Sequence, residues 1–180
     1  MSGEIEEIVM RHWAFSAAIG AAILISSSGS ASPAQGPVSG SYVLDRERSD
    51  DVFQAIESAM AGVPDATRPL ARTRLRKATA TDRIRISRSG SRFSIKYDAH
   101  PLIVVWISGE PIKWKLVEGL VFDVSAKANG EAVSLTFSAP DSERTIVYSS
   151  VEQQLVAETT LTSPLFSTPI RYKLVYNRAN

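Results

Sequence analysis

The sequence predicts an all-β fold, an antiparallel up-and-down barrel of nine or ten strands with a two-helix lid after the first strand. From residue 83 to residue 176, apolar and polar side chains alternate in short segments separated by turns, which is typical of a β-meander. One strand and two short helical segments come before this region. A long meander must bury one face and protect its edges, and closure into a barrel achieves both.

The lid is predicted between residues 49 and 77, directly after a strand at 40–45 (GSYVLD). Ser49 is a suitable helix N-cap. Residues 62–64 (Gly-Val-Pro) break the lid into two helices. The first helix is predicted from four apolar side chains at helical spacing, which are Val52, Phe53, Ile56 and Met60.

The strands after the lid have period two and short turns. Asn129 and Gly130 form the strongest hairpin signal in the chain. Residues 102–107 are an uninterrupted apolar run, which predicts a strand covered on both faces. The remaining strands carry Arg and Lys at their outward positions, which argues against a barrel embedded in a lipid bilayer.

The first 34 residues predict a signal peptide. Residues 14–25 are mostly apolar, too short to span a bilayer, and followed by small residues. Cleavage is expected after Ala34, with Ala31 as the alternative. Because acidic residues precede Met10 where a basic segment is expected, Met10 is a candidate for the true start. These features predict a periplasmic or secreted bacterial protein.

Cleavage after Ala34 would leave a chain that we expect to consist of a disordered leader at 35–39 and one barrel domain at 40–180. The chain contains no cysteine, which excludes disulfides and thiolate metal sites. Its net charge is +1, and removal of the leader raises this only to about +3. A charge this small gives no reason to expect nucleic-acid binding.

Two segments resemble a known family. The opening GSYVLDRERSDDVFQAI, from residue 40, and the closing Tyr-Asn-Arg-Ala, from Tyr176, are similar to the ends of intracellular fatty-acid-binding proteins, a branch of the lipocalin-like (calycin) barrels. The order of elements also matches over most of 40–180, and exported bacterial proteins show a similar layout. The resemblance implies a ten-stranded barrel with an internal cavity, a helical lid and a hydrophobic or amphipathic small-molecule ligand.

The chain departs from this family at the position that holds a carboxylate. The resemblance implies an arginine two residues before the closing tyrosine Tyr176, but Leu174 stands there. The position of a second arginine matches Tyr148, although Arg144 lies close in sequence. A buried carboxylate needs a paired cation or several donors. We therefore expect a neutral ligand or one in a different orientation.

The predicted ligand-binding residues are the large side chains on the inward face of the strands. Alternation alone does not distinguish a ligand cavity from a barrel filled by its own side chains. Three of the tyrosines, Tyr97, Tyr148 and Tyr176, are expected to orient the ligand through their hydroxyls. The full predicted set is Tyr42, Phe93, Tyr97, Trp114, Phe122, Phe137, Tyr148, Leu174 and Tyr176.

A basic segment follows the lid break. Arg68, Arg72 and Arg76 are four residues apart and share one helix face, which suggests a basic portal that contacts an anionic membrane surface or a charged head group. The same spacing also fits an ordinary solvated face. The alternative function is therefore an interaction protein with a filled barrel, whose basic surface at 68–92 contacts an acidic partner or a membrane.

The sequence contains no recognisable catalytic or metal-binding pattern. Once the leader is removed His100 is the only histidine, and it lies between Ala99 and Pro101 in a predicted turn. Neither a nucleophile elbow nor an HExxH pattern is present. We expect a non-enzymatic protein without a cofactor or a bound metal. The sequence leaves the identity of the ligand and the oligomeric state open.

Overall fold

The structure, a computed structural model, describes residues 38–79, 81–98, 100–116 and 121–179. The expected signal peptide and residues 35–37 of the expected leader lie outside the described residues. The elements in chain order are β1 Gly40–Asp45, α1 Val52–Met60, α2 Arg68–Thr79, β2 Arg83–Ser89, β3 Arg92–Tyr97, β4 Ile103–Trp106, β5 Ile112–Lys115, β6 Val121–Asn129, β7 Ala132–Ala139, β8 Ser142–Val151, β9 Gln154–Thr162 and β10 Ile170–Arg178.

The ten strands form one antiparallel sheet in the order β4-β3-β2-β1-β10-β9-β8-β7-β6-β5. The sheet curls into a nearly closed barrel whose two edges are β4 and β5, and an isolated bridge joins Ser108, after β4, to Lys127 on β6. The predicted fold class is therefore confirmed, including the helical pair after the first strand. Because β1 joins β10, the two ends of the domain lie side by side within the sheet.

Alternation sends one side of every strand into the barrel. On β3, Phe93, Ile95 and Tyr97 are buried, whereas Arg92 is exposed to solvent. The buried side chains of all ten strands form one apolar cluster, which is the core of the domain. Burial of this apolar surface is the main stabilising contribution to the fold.

The lid begins at a different cap from the one expected. Asp51, not Ser49, caps α1, and its carboxylate accepts hydrogen bonds from the backbone N–H groups of Phe53 and Gln54. Ser49 instead connects the lid to the sheet, because its hydroxyl donates to the Asp45 carbonyl and accepts from the backbone N–H of Val175. The prediction failed because β10, which is distant in sequence, approaches Ser49 in the fold.

The two helices have an apolar cluster of their own. Ile56, Met60 and Val63 are buried together, and Phe166 from the β9–β10 loop packs against both this cluster and the barrel core. The helices follow the end of β1 and lead into β2, so they lie at one end of the barrel, which we call the lid end. No helix among the described residues has the length and apolar character that a membrane crossing requires.

The opposite end, here called the closed end, includes the first described residues. Val38 and Ser39 are buried, so the packed chain begins two residues before the expected boundary at Gly40. The Tyr42 hydroxyl donates to the Val38 carbonyl, and the Arg178 guanidinium donates to the Ser39 carbonyl. An apolar side chain at position 38 fills the barrel end, and the polar groups around it are satisfied by these bonds.

The apolar run at 102–107 does not form a strand covered on both faces, as its composition predicted. It forms the edge strand β4, in which Ile103 and Val105 are buried and Trp106 is 52% exposed. Because β4 is an edge strand in the wall of the barrel, only its inward face can reach the core.

Candidate ligand-binding site

The structure brings the predicted ligand-binding residues to the inner face of the barrel. Eight of the nine are buried, and Phe122 is partly buried against the same cluster. Their role in binding remains a prediction, because burial alone is also what a filled core requires.

Two of these residues meet across the barrel. The hydroxyl oxygens of Tyr97 on β3 and Tyr148 on β8 are 2.5 Å apart and share a hydrogen bond, and the rings of Phe93 and Tyr148 are 6.5 Å apart. We call the hydroxyl pair the tyrosine bridge. In a pair of hydroxyls one donates and the other accepts, so one O–H group of the bridge stays available for another acceptor.

The interior side chains differ slightly in their exposure to solvent. Phe93, Ile95 and Leu135 have 0% exposure, so no water-sized space touches them. Slight exposure is found near the lid end and around the bridge, at 6–8% for Tyr97, Trp114, Ile146, Leu161, Tyr172 and Leu174. The slightly exposed interior side chains therefore lie mainly toward the lid.

Burial keeps four of the interior tyrosines protonated well above neutral pH. Burial raises the pKa of Tyr97 to about 12, against a weaker lowering effect of the Arg144 charge. Burial also raises the pKa of Tyr148, Tyr172 and Tyr176, and the neighbouring Tyr97 adds to the shift of Tyr148. A protonated hydroxyl can donate a hydrogen bond, so this part of the interior offers donors to a ligand.

A cation also faces the interior. Arg144 precedes Ile146 and Tyr148 on the inward face of β8, and its guanidinium carbon lies 4.5 Å from the centre of the Phe137 ring. The Phe137 ring belongs to an aromatic triad with Trp114 and Phe122, whose ring centres are 5.8–6.3 Å apart. Period-two alternation from Tyr148 is the sequence signal that places Arg144 inside, and the ligand-binding set omitted it.

Trp114 carries a buried polar atom without a partner. The side chain is 6% exposed, and its indole Nε1–H makes no hydrogen bond within the described residues. A buried donor left unpaired costs about 1–3 kcal/mol. An acceptor supplied by a ligand would remove that cost.

The arginines of the predicted basic portal are engaged inside the lid. Arg72 and Arg76 of α2 both bond to Glu57 of α1, at 2.7 Å and 2.9 Å, and the hydrogen bond from Arg72 lowers the pKa of the Glu57 carboxyl. Arg68 pairs with Asp65 and donates to the Val63 carbonyl. These contacts join the two helices, which sequence spacing on α2 alone did not indicate.

Comparison with solved structures shows the same fold in proteins of very different sequence. A secretory abundant heat-soluble protein from Ramazzottius varieornatus is similar with a TM-score of 0.58 and 10% identity, over 82% of this chain and 98% of that one. The fatty acid transporter REP1-NXSQ has a TM-score of 0.53 and 15% identity, over 79% and 98%. A zebrafish ileal bile-acid-binding protein complexed with cholic acid has 0.52 and 15%, over 79% and 99%.

These likenesses confirm the resemblance at the level of fold, a barrel of the fatty-acid-binding-protein type. No protein-family model matches the chain, and no curated protein matches it.

Proposed function

We propose that this protein binds a hydrophobic or amphipathic small molecule inside the barrel, beneath the helical lid, and performs no chemistry on it. The observation that carries the proposal is the unpartnered indole N–H of Trp114 in an apolar interior whose slight exposure lies toward the lid. Sites for small molecules are mostly apolar, with a few placed polar groups that fix orientation. The protonated hydroxyls of Tyr97, Tyr148 and Tyr172 supply such groups.

The fold neighbours support the same class of ligand. One is named as a fatty acid transporter, and another was solved with cholic acid bound. Burial of the ligand's apolar body would supply most of the affinity, at about 25 cal/mol per Å² before ordering costs. The lid controls access, because α1 and α2 pack through Phe166 onto the core at the lid end.

We place this binding in the bacterial envelope or outside the cell. Support comes from the apolar segment at 14–25 and the small residues that follow it. Cell fractionation tests this location, with the expectation that the protein is found in the periplasm or the medium and is shortened after Ala34 or Ala31.

Native mass spectrometry of the gently purified full-length gene product tests the binding itself. We expect a complex heavier than the polypeptide, from which a hydrophobic or amphipathic compound can be extracted and identified. An unliganded mass that persists after incubation with a lipid extract of the host would contradict the proposal.

The second candidate function, contact with an acidic partner or membrane, has one observation in its favour. Arg83, Arg85 and Arg92 lie exposed on the outside of β2 and β3 without an ion pair in the described part of the chain. Arg85 stands directly across from Lys96, a like-charge pairing that disfavours the sheet unless an anion screens it. The basic surface of this candidate is therefore on the sheet, beside the lid.

Charge reversal separates the two candidates. The double variant Arg83→Glu, Arg85→Glu should keep the extracted small molecule in native mass spectra if the barrel interior is the site. Cosedimentation with phosphatidylglycerol vesicles reports the membrane alternative. Vesicle binding by the wild type that the variant loses, together with an empty interior, would favour the second candidate.

A further inference from the structure

The outer wall of the barrel is strongly basic along three neighbouring strands. β2 carries three arginines, β3 carries Arg92 and Lys96, and none of the fully described strands β2, β3 and β4 carries an acidic residue. Arg85 and Arg92 are exposed and form no ion pair in the part of the chain that the structure describes. Like charges that stand together on a sheet repel each other, so this part of the wall favours an anionic partner.

An apolar row lies beside these cations. Leu102, Val104 and Trp106 face outward, because the residues between them on β4 are buried. Leu102 is 56% exposed and Trp106 is 52% exposed. Tryptophan and arginine are enriched at protein–protein interfaces, and they supply a large share of the residues that dominate binding energy. An exposed tryptophan beside unpaired arginines therefore indicates a surface for a protein partner.

The other edge of the sheet has no such row. On β5 the outward positions are Lys113 and Lys115, and outward lysines are a common way to keep an edge strand from associating. The combination of cations with large exposed apolar side chains is therefore a feature of the β4 edge and distinguishes it from the β5 edge.

The sheet register gives this surface a shape. Ser87, Ser94 and Val104 stand side by side on β2, β3 and β4 and form a row of small side chains. Longer side chains flank this row along both of its sides, with Arg92 and Trp106 on one side and Arg85, Lys96 and, by extension of the register, Leu102 on the other. The two flanks are four residues apart along a strand, or about 13 Å. We call this shallow depression across the three strands the β2–β4 trough.

The shape of the trough favours a polypeptide segment over a bilayer surface. A flat bilayer would touch the long side chains of the two flanks and leave the hydroxyl of Ser94 on the floor unpaired. An extended segment fits between flanks about 13 Å apart and can hydrogen-bond to that hydroxyl. Carboxylates on the segment can form bidentate pairs with arginine, and its apolar side chains can pack against Leu102 and Trp106.

We propose that the β2–β4 trough binds an acidic segment of a partner protein, with carboxylates on Arg85 and Arg92 and apolar side chains on Leu102 and Trp106. The inference goes beyond binding in the interior and does not rest on it, because the trough lies on the outside of the wall. It names the partner that the basic surface of the second candidate function would take. A small molecule inside the barrel and a protein segment on its wall can be bound at the same time.

Titration of the full-length protein with matched probes tests the inference. The probes are a short peptide in which glutamate and leucine alternate, its counterpart with glutamine in place of glutamate, and phosphatidylglycerol vesicles. We expect the acidic peptide to bind at least about tenfold more tightly than its glutamine counterpart, and added salt to weaken it because exposed charges are screened. In NMR spectra the indole signal of Trp106 should shift, while that of the interior Trp114 should not.

Charge-removing variants assign the effect to the trough. The double variant Arg85→Gln, Arg92→Gln should weaken the acidic peptide about tenfold or more, because both carboxylate partners are lost. The double variant Arg171→Gln, Lys173→Gln is the matched control, since it removes two exposed cations from the outward face of β10. The control should bind the peptide as the wild type does, and melting curves confirm that both variants are folded.

A second pair of variants tests the apolar row. Leu102→Ser should weaken the acidic peptide, because its apolar side chains lose a contact. Leu70→Ser is the control, since Leu70 on α2 has the same exposure of 56% and lies on the lid. Equal effects of these two variants would contradict a role of the apolar row.

The remaining outcomes also decide the matter. Absence of binding by the acidic peptide, equal binding of the acidic and glutamine peptides, or equal effects of the two double variants would overturn the inference. Vesicle binding that Arg85→Gln, Arg92→Gln abolishes, without any peptide binding, would overturn it in favour of a membrane surface. Native mass spectra of the small-molecule complex are independent of these results, so failure here leaves the proposed function standing.

Discussion

The hydroxyls of Tyr97 and Tyr148 hydrogen-bond at 2.5 Å across the inside of the barrel. Their strands, β3 and β8, are five positions apart in the ten-stranded order, whichever way around the barrel one counts. The bond therefore joins opposite walls of the barrel.

Removal of one hydroxyl from the bridge should destabilise the protein. Tyr97→Phe or Tyr148→Phe leaves a buried hydroxyl without its partner, and we expect each to lower the free energy of unfolding by about 1–3 kcal/mol. The double variant should cost less than the sum, since no orphan hydroxyl remains. Urea denaturation of the four proteins measures this coupling, and strict additivity would contradict a direct bond.

Stability should fall at alkaline pH. The pKa of Tyr97 is raised from 10.0 to about 12 in the folded state, so between these values the unfolded chain loses a proton that the folded chain keeps. The free energy of unfolding should therefore decrease as pH rises above about 10, by about 1.4 kcal/mol per pH unit for this group. Tyr148 is shifted in the same direction and steepens the decline. Urea midpoints measured between about pH 9 and 11 test this, and a flat profile would contradict the burial of these hydroxyls.

The ion pairs of Glu57 should stabilise the packing of the two lid helices and contribute little to the stability of the barrel. Glu57→Gln removes the partner of Arg72 and Arg76, so α1 and α2 should separate more readily. Hydrogen exchange should show faster exchange in both helices and unchanged protection in β6 to β9. Asp65→Asn, which removes the exposed partner of Arg68, is the control and should have a smaller effect. Equal loss of protection in lid and strands would show that the lid does not open separately.

Overpacking should distinguish fully enclosed interior positions from slightly exposed ones. Leu135→Trp inserts a larger side chain where no space exists and should destabilise the protein by about 1–3 kcal/mol or more. Leu174→Trp enlarges a residue that retains 7% exposure, so it should cost less and reduce ligand uptake. Thermal unfolding and ligand titration of both variants measure the difference. Similar destabilisation by the two would indicate a uniformly filled barrel.

Most of the fold could be predicted because it follows from local patterns. Period-two alternation and turn residues gave the strands after the lid, and residues 40–45 match β1 as observed. The cap of α1 and the exposed face of β4 could not be predicted, since each depends on what lies nearby in space. Ser49 bonds to β10, which lies far away in the chain, and β4 lies at a sheet edge.

The site was predictable only in part, for the same reason. Alternation identified the inward aromatic residues, but a sequence does not show that Tyr97 and Tyr148 meet or that Glu57 pairs with Arg72 and Arg76. The spacing of Arg144 from Tyr148 could have predicted its inward position. However, charged residues on strands usually face water. Whether a buried indole N–H has a partner depends on the packing of neighbouring strands, which a sequence does not reveal.

The measurement that tests the central claim most directly is the NMR signal of the Trp114 indole N–H. A titration of labelled protein with a lipid extract of the host should shift this signal and slow its exchange with water. The exposed Trp106 indole should stay unchanged. A bound compound that leaves the Trp114 signal in place, or a complete absence of shifts on addition of the extract, would contradict an interior site beneath the lid.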